Sequence, residues 1–283
     1  MAQLWKGAPV AAALTEELSQ RAQALVAKGI TPTLAIVRVG ERPEDLSYER
    51  GALKRCEKVG IAVRQYLLTA ASSQTDLMEV IEEINRDDSI HGCLLFRPLP
   101  KHMDEAAICA ALSPAKDVDG ITAGSLAAVF SGSGAGYPPC TAQACLEILD
   151  HYGYELKGKR AVVVGRSLVI GKPVSMLLLG RHATVTICHT RTADLPAECR
   201  RADLLVAAAG KAGAVSAQCL ASGQVVLDVG INVDEDGNLV GDVDFAAAEN
   251  SVEAITPVPG GVGAVTTSVL ARHVIEAAEK AIG

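Results

Sequence analysis

Aromatic residues are scarce in this chain: one Trp, five Tyr and three Phe among 283 residues. A core with so few rings must be filled by aliphatic side chains, and Ala, Val and Leu supply most of the 49% hydrophobic content. Positive charge is also short. Lys and Arg number 26 against 33 Asp and Glu, a formal net charge of −7, and no basic stripe offsets it. That excludes a nucleic-acid binder. No apolar run approaches the ~20 residues of a membrane-spanning helix. The opening MAQLWKGAPVAAALTEEL has no basic segment leading into a long apolar core. It reads as an amphipathic helix, not a secretory signal, and the expected location is cytoplasmic. Cys56, Cys93, Cys109, Cys140, Cys145, Cys188, Cys199 and Cys219 form no C-x-x-C pair and lack His partners at zinc spacing. They are expected to be reduced thiols, mostly buried, with no metal centre.

A length of 283 residues suits two domains. Helical patterns at Leu14–Lys28, Ser47–Val59 and Thr75–Arg86 alternate with strand-like runs at Thr33–Gly40, Val63–Leu68 and Gly92–Arg97. Alternation of this kind predicts an α/β fold with a parallel sheet. SGSGAGYPPC, Ser131 to Cys140, packs three glycines and two prolines into ten residues and marks a linker. A helix over Thr141–His151 follows, then a strand at Ala161 and three strand–helix units whose strands are Ala183–Cys188, Asp203–Ala209 and Val225–Gly230. This second half reads as a doubly wound, Rossmann-like unit. Asn232, Asp234, Asp236 and Gly237 imitate the start of a calcium loop, but Val243 stands where the final Glu is required. A tight turn at Asp236-Gly237 between two short strands fits better.

The run AVVVGRSLVIGKP, Ala161 to Pro173, reads as a buried strand, a glycine loop and a helix start. Unpaired N–H groups and the helix dipole make such a junction an anion site, suited to a dinucleotide pyrophosphate. The loop lacks the middle glycine of G-x-G-x-x-G, and Pro173 occupies the hydroxyl position of a P-loop. A dinucleotide site and a plain βα turn both remain open on this pattern alone.

Four segments in order, RPLP (Arg97–Pro100), AKDVDG (Ala115–Gly120), GRSLVIGKP and PVPGGVG (Pro257–Gly263), resemble the methylenetetrahydrofolate dehydrogenase/cyclohydrolase family over nearly the whole chain. The resemblance implies a folate-binding catalytic domain over 1–139, joined by a C-terminal helix over 267–283. It further implies a Rossmann-like domain over 140–266, a cleft between the two, and a homodimer. The implied reaction oxidises the methylene bridge of methylenetetrahydrofolate with NADP or NAD; most members then hydrolyse the methenyl product. Tyr48 and Asp119 fall at the family's catalytic, substrate-binding positions, with Leu99, Pro100, Pro259, Gly260 and Gly261 completing the folate site. The cofactor positions are Gly165, Arg166, Ser167, Ile170, Gly171, His189, Thr190, Arg191, Gly210 and Ile231. The chemistry suits the residues. A carboxylate such as Asp119 accepts the pterin 2-amino and ring N–H groups as a pair, and Tyr48 offers a ring face to a flat ligand. Gly260 and Gly261 admit close backbone approach, with Val258-Pro259 a candidate cis bond.

Two departures bear on activity. Bifunctional members carry Tyr-x-x-x-Lys, and here Ala52 holds the lysine position; Phe96 holds that of its glutamine partner. At about 100° per residue, Arg50 and Lys54 lie off the Tyr48 face. Losing both members of a polar pair avoids stranding one of them. Hydride loss to a methenyl cation is assisted by a nitrogen lone pair and needs no protein base, whereas hydrolysis does. The expectation is a dehydrogenase with weak or absent cyclohydrolase, its product left to a separate cyclohydrolase. The alternatives are a bifunctional enzyme, with Arg97 replacing the lysine, and a non-catalytic binding paralogue. Strand Ala183–Cys188 ends without the acid that NAD sites use. Arg166, Arg191 and Thr190 suit a 2′-phosphate, so NADP is favoured, with NAD the alternative.

Overall fold

Runs such as TLAIVRV, RAVVV and VVLD place aliphatic side chains at nearly every position. Strands covered on both faces demand this composition. A computed structural model describes residues 1–281 and arranges these runs in parallel sheets. In chain order the elements are β1 (Gln3–Leu4), α1 (Gly7–Ala27), β2 (Thr33–Val39), α2 (Pro43–Val59), β3 (Ala62–Leu68), α3 (Gln74–Arg86), β4 (Gly92–Leu95), α4 (Glu105–Ala111) and α5 (Ala123–Ser131). They continue with α6 (Cys140–His151), β5 (Arg160–Val164), α7 (Gly171–Gly180), β6 (Thr184–Cys188), α8 (Leu195–Arg200), β7 (Leu204–Ala207), β8 (Val225–Asp228), β9 (Asn232–Val233), β10 (Leu239–Val240), α9 (Phe245–Ser251), β11 (Ala254–Ile255) and α10 (Thr266–Lys280). No helix among the described residues is long and apolar enough to cross a membrane.

The chain divides into two compact units, one of Ala12–Cys140 with the residues from Thr267 onward, the other of Met1–Ala11 with Thr141–Thr266. The first holds a three-stranded parallel sheet ordered β3-β2-β4. Its central strand β2 is buried at all seven positions. Helix α3 starts at a Ser73/Asp76 capping box and buries Leu77, Ile81 and Ile84, the i, i+4, i+7 stripe of an amphipathic helix. These three pack with Val37, Leu95 and Ile108 in the core.

The second unit holds a six-stranded parallel sheet ordered β1-β11-β8-β7-β5-β6. After β5 the chain pairs β6 on one side and then β7 on the other. That reversal is a topological switch point, and ligands in such sheets bind at the carboxyl ends of the strands flanking it. The tight turn expected at Asp236-Gly237 is present, joining the antiparallel pair β9-β10, with Gly237 at φ +83°.

The first eleven residues depart from the expected boundary. They belong to the second unit, because β1 pairs in parallel with β11. Residues 282 and 283, included in the expected first domain, lie outside the described residues. Two short helices, α4 and α5, and the two-residue strands β1 and β11 also went unanticipated. Seven to nine residues hold too few turns for a periodic stripe, and each helix is instead started by a side-chain cap, Asp104 or Thr122.

The scarce rings are concentrated where the N-terminal segment docks. Trp5 is buried, stacks on Tyr152 at 4.8 Å and meets Tyr154 edge-on at 6.0 Å. Trp5→Ala is expected to cost the second unit about 3–4 kcal/mol, read as an earlier urea transition in far-UV circular dichroism.

Candidate active site

The glycine loop after β5 has the geometry of an anion seat. Gly165 has φ +132°, and a Cβ there would collide with the Ala208 carbonyl after β7, so only glycine allows the two loops to touch. A Cβ on Gly171 would likewise strike the Gly165 carbonyl, so helix α7 begins hard against the strand end. Ser167 Oγ accepts the N–H groups of Ile170 at 3.1 Å and Gly171 at 3.4 Å. The N–H groups of Arg166, Ser167, Leu168 and Val169 take no acceptor among the described residues. A loop of free N–H donors at a helix start fits a pyrophosphate.

The loop after β6 stands beside it. Val164 pairs with Cys188, and Gly165 N–H bonds the Cys188 carbonyl at 2.9 Å. Arg166, Thr190 and Arg191 therefore leave one edge of the sheet, all exposed. The turn is self-closed: Thr192 Oγ1 accepts from His189 N–H at 2.9 Å, and His189 Nδ1 accepts from Arg191 N–H at 3.1 Å. The first acid beyond it, Asp194, caps α8 through Ala197 N–H. Gly210 follows β7 and Ile231 follows β8, at the same carboxyl edge. Ile231 lines a cavity of about 300 Å³ with Pro259, Gly260 and Gly261, and the Val258–Pro259 peptide is cis.

In the first unit the remaining candidates gather at the carboxyl end of its sheet. Helix α2 buries Asp45, Glu49, Ala52, Cys56 and Val59 on one face, while Arg50 and Lys54 are exposed. Ala52 has no exposed surface. Tyr48 is half-buried, and its ring meets Phe96 edge-on at 6.0 Å and 81°. Buried Arg38 Nε holds Glu49 Oε2 at 2.9 Å and Gln65 Nε2 holds Glu49 Oε1 at 2.6 Å, anchoring α2 to the sheet. Beyond β4, Arg97–Pro98 is cis, and Glu105 Oε2 accepts Leu99 N–H at 2.8 Å, fixing the loop that carries Leu99 and Pro100.

The two acids of KDVDG do different work. Asp117 is fully buried and accepts the N–H groups of Ile121 at 2.9 Å and Thr122 at 2.7 Å, so it is committed to the turn. Asp119 is half-buried and keeps acceptor capacity. Desolvation pushes its pKa up to about 6, opposed by a hydrogen bond from Cys140; the Asp117 charge adds to the rise and Arg97 opposes it.

Sequence reasoning missed a buried carboxylate pair in the second unit, Asp228 and Asp242. The only sequence signal was an acid within each of two glycine-bearing runs, DVGIN and GDVD. Burial raises the Asp228 pKa to about 6 against three backbone hydrogen bonds, with the Asp242 charge adding to the rise.

Residues 5–119 match the model of the tetrahydrofolate dehydrogenase/cyclohydrolase catalytic domain, and residues 139–282 match that family's NAD(P)-binding domain. The bifunctional protein FolD of Clostridioides difficile is 52% identical over 275 residues, covering 97% of this chain and 96% of that protein. FolD of Carboxydothermus hydrogenoformans, also described as bifunctional, is 52% identical over 281 residues, covering 99% and 98%. Among solved structures, the bifunctional FolD methylenetetrahydrofolate dehydrogenase/cyclohydrolase of Campylobacter jejuni superposes with a TM-score of 0.96 at 37% identity over 99% of both chains. The Trypanosoma brucei enzyme, solved with NADP and an inhibitor, gives a TM-score of 0.92 at 33% identity over 99% of this chain and 98% of that one. The chain belongs to the tetrahydrofolate dehydrogenase/cyclohydrolase (FolD) family, an α/β fold of a catalytic domain and a Rossmann-like NAD(P)-binding domain.

Proposed function

We propose that this member is an NADP-dependent methylenetetrahydrofolate dehydrogenase whose cyclohydrolase step is weak or absent. One observation carries the second half of that reading: the residues at the lysine and glutamine positions, Ala52 and Phe96, are buried and apolar, and Phe96 packs on Tyr48. A bound dinucleotide supplies the hydride acceptor. The chain's own residues supply placement. Asp119 pairs with the pterin edge, Tyr48 offers its ring to the folate, and Gly260 and Gly261 admit the ligand closely. None of these moves a proton in the hydride step. Addition of water to the methenyl carbon requires an acid or base, and the exposed Arg50 and Lys54 stand off the Tyr48 face.

The bifunctional descriptions of relatives at 52% identity favour a second reading, in which both activities are kept. A direct assay separates the two. On the first, purified protein leaves methenyltetrahydrofolate decaying within about twofold of the buffer rate, and Ala52→Lys with Phe96→Gln raises hydrolysis on the order of tenfold or more. Rapid hydrolysis by the unmodified protein would establish the second. The first reading also calls for a separate cyclohydrolase to consume the product. Assembly as a homodimer, implied by the family resemblance, is checked by light scattering.

The Asp119 carboxylate sets a pH limb. Ionised, it accepts both pterin donors; protonated, it does not. Because burial raises its pKa to about 6, kcat/KM for the folate falls as pH drops through that value. The expected slope is about tenfold per pH unit, and Asp119→Asn removes the limb along with most of the activity.

The cofactor proposal rests on Arg166 and Arg191, both exposed at one edge and without an acidic partner among the described residues. A ratio of kcat/KM for NADP over NAD of roughly tenfold or more is expected. Arg166→Ala and Arg191→Ala should each lower the NADP value by about tenfold and leave the NAD value within about twofold. A wild-type preference for NAD would remove the argument.

A further inference from the structure

Two backbone anion cradles stand at the carboxyl edge of β5 and β7, and only one is open. The N–H groups of Ala209, Gly210 and Lys211 converge as a nest of the kind that binds phosphate or carboxylate. That nest is filled from within. Fully buried Asp242 accepts Ala209 N–H at 2.6 Å and Gly210 N–H at 2.9 Å through Oδ2, and Lys211 N–H at 2.8 Å through Oδ1. Asn232 Nδ2 adds a fourth donor at 2.9 Å. Behind it, Asp228 accepts the N–H groups of Gly230 at 3.1 Å, Asp242 at 2.9 Å and Val243 at 3.0 Å, while its own N–H bonds Thr256 Oγ1 at 2.8 Å. A Cβ on Gly230 would collide with the Asp242 carboxylate, and one on Gly241 with that of Asp228. The two acids thus fix the loops after β7 and β8 and the segment following β10.

Topology gives this frame a job. With a pyrophosphate at the Arg166–Val169 donors and a 2′-phosphate beside Arg191, the adenosine half would lie on the β6 side of β5. The other half would then run the opposite way, over the ends of β7 and β8, where Gly210 and Ile231 sit. We propose that Asp242, braced by Asp228, is a positioning residue for the nicotinamide half: it closes the second cradle, holds the Gly210 and Ile231 loops, and leaves the pyrophosphate a single seat. The inference rests on the NADP reading above.

Two probes test it by calorimetry. Adenosine 2′,5′-bisphosphate carries only the β6-side half, and NADP carries both. Asp242→Ala is expected to bind the bisphosphate within about twofold of wild type and NADP about tenfold more weakly. Added formate, small enough to enter the vacated nest, should recover about threefold or more of the NADP affinity. Equal weakening of both probes would mark a merely structural residue and overturn the proposal. Unchanged NADP binding, or no response to formate, would overturn it too. Should Asp242→Ala fail to fold, Asn232→Ala removes one donor while keeping both acids, and the same split at about threefold is expected; no split overturns the proposal. Wild-type protein that binds neither probe would sink the NADP reading itself, a result distinct from any of these.

Discussion

Parallel strand pairing is the constraint on which the rest of each unit depends. A parallel strand cannot turn back on itself; it must cross over, and every crossover returns the chain to the same starting edge. Within each sheet, all the strand ends that carry chemistry therefore collect at one edge. In the second unit the loops after β5, β6, β7 and β8 bring Gly165, Arg191, Gly210 and Ile231 to one line. In the first unit β4 delivers Phe96 and Leu99 to the edge that β2 leaves at Gly40, just before helix α2 and Tyr48. Contact between such loops requires the absence of side chains, and the collision a Cβ would make at Gly165 with the Ala208 carbonyl states that requirement in one atom.

Polar groups near these edges follow a stricter rule than the strands do. A buried donor or acceptor must be matched. The interior of the first unit obeys this with Arg38, Glu49 and Gln65, a closed set, and the second with Asp228 and Asp242, whose oxygens are covered by backbone N–H groups and Asn232. The Ala52 and Phe96 positions satisfy it by containing no polar group.

Much of this was legible in the sequence. The alternation of runs specified the parallel α/β class because strands buried on both faces leave an unbroken aliphatic signature, and the helix rotation of about 100° per residue put Lys54 off the Tyr48 face, where it is exposed. Gly165 and Gly171 were legible as a loop, since only their kind permits the approach. What escaped were features without periodicity. Strand β1 is two residues long and acquires its identity from β11, some 250 residues away, so the first eleven residues looked like part of the nearer unit. Asp228 and Asp242 escaped for a related reason: an acid in a polar loop sequence looks solvated, and its burial depends on three loops meeting.

Asp117 and Asp119 carry that lesson into the chemistry. Two residues apart in one motif, they share a charge and a side chain. Asp117 has its oxygens taken by the N–H groups of Ile121 and Thr122, and so serves the turn. Asp119 is spared those bonds, and burial without them is what raises its pKa toward the physiological range. The same desolvation that weakens its hold on charge strengthens any paired hydrogen bond it makes to a ligand's N–H groups, since both effects come from the low local dielectric. A carboxylate able to take a ligand's paired N–H donors is therefore one spared the backbone bonds of its own turn, and here that acid is Asp119, because Asp117 takes them.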